Sequence, residues 1–372
     1  MVSVLIGLMA GEAVLLHRRA VPTQGNYEPL DTFASLNPAR VVARKVLPAL
    51  LPLLAPRGGR WGRVTLAAAA SGFAVTSVAD GWLRRHPPTR RPLGDAATAV
   101  RPGGPVLPDA TRLAERVSAV GGVATVVAGG VAAATTWSSL TSNEAMWARR
   151  RLPALPRNLA TLGLAVVAWD LLFYGNHRLM HEVRFMWAVH EPHHSSDRFN
   201  LSTAIRQTTT EPLGVFIPEG LLALVGFHPK VIGQARMINL LHQFWIHTEA
   251  IQTLGPLDRV VNTPSNHRVH HGNNPAYRSR NHGSTTVIWD KVFGTYAPEE
   301  EPARYGPPDG NVTANPLRIM VHGHVSMLAD IAKERSWRGR LRALVVMPGS
   351  MAASVRAAGG TARSAVQASS AP

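Results

Sequence analysis

No cysteine occurs among the 372 residues, which excludes disulfides, cysteine-held iron–sulfur clusters and a thiolate-ligated haem, all of which need its sulfur. Lysine is scarce: only four of the 39 basic residues are Lys, and the rest are Arg. Aromatic residues make up 6% and are not interleaved with the basic ones, so the stacking platform of a nucleic-acid binder is missing and no nucleic-acid partner is expected. Neither a Gly-x-Gly-x-x-Gly nucleotide fingerprint nor a His-Pro-Gly-Gly haem-domain string appears.

Acidic residues are also few, 23 against 39 basic, leaving a formal charge of +16. Such a balance attracts anionic lipid headgroups or an acidic redox partner. Apolar residues, 45% of the chain, are gathered into blocks separated by Arg- and Pro-rich stretches, as when membrane spans alternate with polar segments. Val2 to Leu16 ends at His17-Arg18-Arg19 with no basic residue ahead of it, and reads as a short membrane anchor rather than a secretory signal. Val64 to Ala79 is uncharged for 16 residues and Val117 to Asn143 for 27, enough in the second case for a span of about 20. Between them, Arg84 to Arg112 reads as an extra-membrane linker. A fourth block runs from Asn158 to Asn176. The fifth and sixth, Pro212 to Phe227 and Val231 to Ile246, are joined so tightly that a hairpin is expected. The expected architecture is an all-α integral membrane protein. Residues 1–115 form an anchoring region with its linker, 116–300 the core, and 301–372 an extension that ends, from about Ser350, in a disordered tail.

Sixteen histidines are unevenly spread, and eight of them occupy two short windows, His177 to His194 and His267 to His271. The i, i+4 spacing of His177 and His181 puts both rings on one helix face. His190-Glu191-Pro192-His193-His194 and His267-Arg268-Val269-His270-His271 share spacings of three and four, so each can direct at least two rings to one side. Together with His247 these make nine imidazoles. One tetrahedral zinc takes only three or four protein ligands, so nine is a two-metal count. Ring nitrogen suits iron, zinc, copper and nickel alike, while the paired Glu-x-x-His motifs of soluble di-iron bundles are missing. His190 to His194 formally matches the His-Glu-x-x-His of zinc proteases, but Pro192 breaks the helix that the signature needs. His17, His86, His228, His322 and His324 read as packing or interfacial residues.

The strings that carry these histidines resemble the fatty acid hydroxylase and sterol desaturase superfamily, and within it the alkylglycerol monooxygenase-like branch. They are Asp170 to Val183, Trp187 to Gln207, Gln243 to Glu249, Asn262 to Asn273 and Asn281 to Tyr296. The resemblance implies a non-haem di-iron centre using O2, under a histidine-rich helical cap on the cytosolic face of the cytoplasmic membrane. Its metal ligands would be His177, His181, His190, His193, His194, His247, His267, His270 and His271, with His282 or His242 completing the set and Glu182 and Glu249 supporting the ligands. Trp289-Asp290 and Gly294-Thr295-Tyr296 match as packing residues. Implied partners are a lipid substrate and an electron source, either tetrahydrobiopterin, as in that branch, or an external donor protein. Arg178, Arg184, Arg198, Arg206 and Arg268 are candidates for docking an acidic donor or lipid phosphate. The expected reaction is hydroxylation of a fatty acyl, sterol or glyceryl ether C–H bond. Desaturation at the same centre is one alternative, and non-enzymatic metal binding or transport another. A transporter would carry its ionisable ligands inside the spans, whereas the boxes lie at or beyond span ends.

Overall fold

The computed structural model describes residues 2–18, 24–36, 53, 60–86, 109–140, 143–207, 216–307, 313 and 315–347. Most of the Arg- and Pro-rich linker and the C-terminal tail lie outside them. The described residues hold helices and no strand, only isolated bridges between Val183 and Val346 and between Val261 and Thr286. Three helical segments are long and apolar enough to cross a membrane: Arg60–Arg85, Ala110–Ala133 and Leu159–Glu182.

The chain divides into two compact units. The first holds residues 1–47, 138–325 and 345–372. It opens with helices α1 (Val2–His17) and α2 (Pro29–Leu36); α3 (Arg60–Arg85) and most of α4 (Asp109–Leu140) belong to the second unit. The first unit resumes with α5 (Asn143–Ala148) and α6 (Leu159–Glu182). Asn158 starts α6, its side chain accepting from the Thr161 backbone N–H at 2.9 Å, which satisfies a donor that the first turn leaves over. At 24 residues α6 is about 36 Å long, more than the roughly 30 Å apolar thickness of a bilayer. One face of it, Ala165 and Trp169, packs on Leu222, Ala223, Phe227, Val231, Ile232 and Ala235. These come from α8 (Phe216–Leu224) and α9 (Pro229–Trp245) and the turn between them. The turn depends on Gly226 at φ +99°, and α9 starts with Pro229 behind His228, whose ring accepts from Lys230 N–H. The expected hairpin is present, but its helices have 9 and 17 residues, and neither is among the three candidate spans.

Helix α6 stops at Val183, which is extended, and α7 (Arg184–His190) follows at once. It ends where Pro192 forces a 3-10 turn, Glu191–His194. Helices α10 (Pro264–His271) and α11 (Ile288–Val292) complete the histidine region, and α12 (Pro316–Lys333) follows.

The second unit holds residues 48–137 and 326–344, including most of α13 (Trp337–Val345). Within it α3 and α4 approach closely at Gly72 and Gly121, where a Cβ on Gly72 would stand 3.0 Å from the Gly121 carbonyl oxygen. Small residues of this kind let helices pack without a hydrophobic driving force in lipid. Arg340 is fully buried and donates to Asp80 Oδ2 at 2.5 Å and Ser118 Oγ at 2.7 Å.

Candidate metal centre

The first histidine pair stays together, and each of the two triplets splits between an i, i+4 pair and a third ring. In α6 the pair His177 and His181 shares a face, with ring centroids 5.2 Å apart. Around the Pro192 turn, His190 and His194 form a second i, i+4 pair with Nε2 atoms 3.1 Å apart, and His193 points away from them. In α10 the i, i+4 pair is His267 and His271, and His270 is the ring that departs. Two clusters result. One gathers His177, His181, His190, His194 and His270, the other His193, His247, His267 and His271, and all nine are buried. In each cluster the candidate ligand atoms lie within 4.8 Å of one another. The clusters abut: the rings of His194 and His271 stack at 4.3 Å, and those of His267 and His270 at 5.2 Å.

Hydrogen bonds on the outer nitrogens fix the orientation of several rings. His177 Nδ1 faces the His282 carbonyl at 2.9 Å, His247 Nδ1 that of Gln243 at 2.5 Å, and His270 Nδ1 that of Arg280 at 3.0 Å. A carbonyl oxygen only accepts, so each Nδ1 carries the hydrogen and each Nε2 turns a lone pair inward. Those lone pairs crowd. His177 and His190 Nε2 are 2.9 Å apart, His193 and His247 3.2 Å, and His247 and His267 3.0 Å. Nitrogens bound about 2.1 Å from one shared first-row ion stand roughly 3.0 to 3.4 Å apart, so the spacing fits a metal-filled cluster. His181, His270 and His271 Nε2 are buried with no hydrogen-bond partner, which a metal would resolve. The donor set of neutral imidazoles fits iron.

Burial lowers the pKa of His190, His193, His194, His267, His270 and His271 well below the ordinary value, and neighbouring imidazoles lower it further. Burial takes His247 to about 4. Outside the α6 span, then, the rings are neutral near pH 7, the form that binds metal.

His282 and His242 sit differently. The His282 ring is fully buried, 5.0 Å from that of His181 and 5.7 Å from that of His270, with both nitrogens unpartnered. His242 lies outside both clusters, its Nε2 held 2.9 Å from the Asn262 carbonyl. Glu182 accepts from Arg178 Nε at 2.8 Å and Glu249 from the Tyr305 hydroxyl. Tyr305 stacks on Phe199, whose ring lies 5.1 Å from that of His271. Of the arginines proposed for docking, Arg206 and Arg268 are buried in ion pairs with Asp31 and Glu299, and Arg184 is buried too. Desolvated charges of this kind cannot meet a partner's surface, so these three do not dock a donor.

Two carboxylates emphasised less in the sequence frame the centre. Asp170 accepts from Ser284 Oγ, Thr285 N–H, Thr286 Oγ1 and Trp289 Nε1 at 2.7–3.0 Å. Asp290 accepts from the His282 and Gly283 N–H groups and from Thr295 Oγ1, each at 2.7 Å, while burial pushes its pKa up to about 6. Together they hold the loop whose His282 carbonyl orients His177. The signal was a lone charge in an apolar block for Asp170 and the Trp-Asp string for Asp290.

Residues 162–295 match the fatty acid hydroxylase family model. The chain carries a fatty acid hydroxylase domain. All nine clustered histidines, Asp170 and Asp290 fall within that domain. Alkylglycerol monooxygenase of Danio rerio is 44% identical over 162 residues, 43% of this chain and 36% of that protein. The Homo sapiens enzyme is 42% identical over 193 residues, 49% of this chain and 41% of its own. An ornithine lipid hydroxylase of Rhizobium tropici is 29% identical over 180 residues, 48% and 51% of the two chains. The chain thus spans well under two thirds of these relatives. No solved structure matches it.

Proposed function

We propose that this protein is an integral-membrane, iron-dependent monooxygenase that hydroxylates a lipid C–H bond. The observation that carries the reading is the pair of abutting, buried, neutral imidazole clusters inside a domain whose relatives are named as lipid hydroxylases and monooxygenases. His177, His181, His190, His194 and His270 would hold one iron and His193, His247, His267 and His271 the other, with His282 beside the first. Bound there, an iron pair supplies dioxygen activation and redox capacity that protein side chains lack. The chain's own residues do the rest. Carbonyls of His282, Gln243 and Arg280 keep Nε2 of His177, His247 and His270 directed inward, and Asp170 and Asp290 hold the loop that supplies the first of them. Phe199, Trp187 and Tyr174 pack beside the imidazoles and keep water from the centre.

The α6 pair stands at the end of a candidate span, where a lipid tail can reach it from the bilayer. The names of the relatives at 40% identity and above make alkylglycerol ethers the first substrate to try, and a pterin or a donor protein the reductant. The cytoplasmic membrane with the centre on its cytosolic side is the expected location. To test this, membranes containing the chain are incubated with ferrous iron, tetrahydrobiopterin, glyceryl ether and other lipids, and ¹⁸O₂. A lipid product heavier by one labelled oxygen, or the aldehyde released from its hydroxylated ether, is expected. A new double bond without label would turn the reading to desaturation, and iron-free protein with full activity would overturn it.

A further inference from the structure

The family match starts at residue 162, but the unit that holds the clusters also contains α1 and α2. Helix α1 reads as a membrane anchor apart from Glu12, which is buried in the middle of it. That carboxylate is fully engaged. Its Oε2 accepts from the Tyr27 hydroxyl at 2.6 Å and from the Leu201 backbone N–H at 2.9 Å, and its Oε1 accepts from the Thr248 hydroxyl. Thr248 directly follows His247. Leu201 is two residues past Phe199, whose ring lies 5.6, 6.2 and 5.1 Å from those of His247, His267 and His271.

Around α2 the pattern repeats. Asp31, also buried, accepts from Arg206 Nη1 at 2.7 Å and Ser196 Oγ at 2.8 Å. Gln207, next to Arg206, places its side-chain amide 3.3 Å from His193 Nδ1. The loop between has its own ties to the N-terminal segment, Phe199 N–H to the Gln24 carbonyl at 3.0 Å and the Asn200 amide to that of Gly25 at 3.1 Å. These links end on Thr248, which follows His247, and on residues 196–207, which carry the covering ring Phe199 and Gln207 beside His193 and follow the turn that bears His193 together with His190 and His194. In the five-imidazole cluster His177 and His270 are oriented from elsewhere, by the His282 and Arg280 carbonyls. A carboxylate buried in an apolar helix is costly unless it is hydrogen-bonded, and two of the three bonds that satisfy Glu12 come from Thr248, next to His247, and from Leu201, in the segment of Phe199.

We infer that Glu12 is a positioning residue for the four-imidazole cluster, and that α1 and α2 form a clamp that retains one of the two metals and not the other. The inference rests on the two-metal reading above. It is tested on the full chain, purified from membranes and loaded with ferrous iron, by iron per chain and by the rate at which EDTA removes it. Wild type should hold two irons. Glu12→Gln should release one of them about tenfold faster, within the range by which residues supporting metal ligands act, and leave the other's rate unchanged. After partial release and air oxidation, the variant should show the EPR signal of isolated ferric iron. Thr248→Val, which removes the hydroxyl and leaves Glu12 in place, should shift the same iron in the same direction and decides the matter if Glu12→Gln does not accumulate. A general loss of stability would speed both irons together, and that outcome, or two unchanged rates, overturns the inference. A wild-type chain that does not hold two irons would instead overturn the proposed function.

Discussion

His270 and His271 are neighbours in sequence yet belong to different clusters, because rings one position apart on a helix point about 100° apart while those four apart nearly superpose. This geometry makes a prediction at the level of single residues. His270→Ala and His271→Ala should each lower iron from two per chain towards one, and the double variant should lower it further, by elemental analysis of protein that remains in the membrane. Normal turnover by either single variant would count against its assignment. The neutral state of the rings has a second consequence. His247 has a folded pKa of about 4 against an ordinary 6.5, so between those values the unfolded chain takes up a proton that the folded one refuses. Its contribution is complete above about pH 6.5 and is lost as pH falls towards 4. The loss is about 3 kcal/mol for this ring alone. Thermal unfolding of metal-free protein from about pH 7.5 to about pH 4.5 should therefore show a falling midpoint, and a flat profile would show that the rings are not held neutral.

At the scale of elements, the boxes were legible because helical spacing converts directly into facing rings. The i, i+4 pair at the end of α6 and the break at Pro192 can both be read from the residues. Less legible was the part that depends on contacts distant in sequence. Nothing in the spacing of Asn262 to Asn273 says that its rings share a cluster with His193, and His242 stood beside His282 as a residue that could complete the set, whereas the Asn262 carbonyl holds its ring outside both clusters. Glu12 was the missed signal: a lone carboxylate in an apolar block is a request for partners, but those partners, Thr248 and Leu201, lie some two hundred residues away. The α8–α9 turn shows local chemistry that can be tested by itself. Gly226 has φ +99°, and a Cβ there would meet the Pro153 carbonyl oxygen at 2.4 Å. Gly226→Ala should cost about 2 kcal/mol or more, since both the backbone conformation and the space are denied to a side chain. A midpoint in detergent within error of wild type would mean that the turn relaxes without cost.

For the whole molecule, the question is whether the two units divide the labour. The histidines, their orienting carbonyls and the carboxylates that hold them all lie in the first unit. The second contributes two of the three candidate spans and one buried ion pair, Asp80 with Arg340, which Ser118 also joins. Both partners are almost wholly buried, at 2% and 0% exposure. Removing one charge strands the other, and a stranded buried charge typically costs about 3–5 kcal/mol. Asp80→Asn should therefore lower the thermal midpoint of the solubilised protein clearly, because Arg340 keeps its charge but loses its counterion. Replacing both, as in Asp80→Leu with Arg340→Met, should recover most of that loss, since well-packed apolar side chains often serve a buried ion pair's place as well. Iron per chain should stay at the wild-type value in both variants, because no residue that orients an imidazole is touched. If Asp80→Asn instead empties the clusters, the second unit is part of the metal site's support and the division by unit fails.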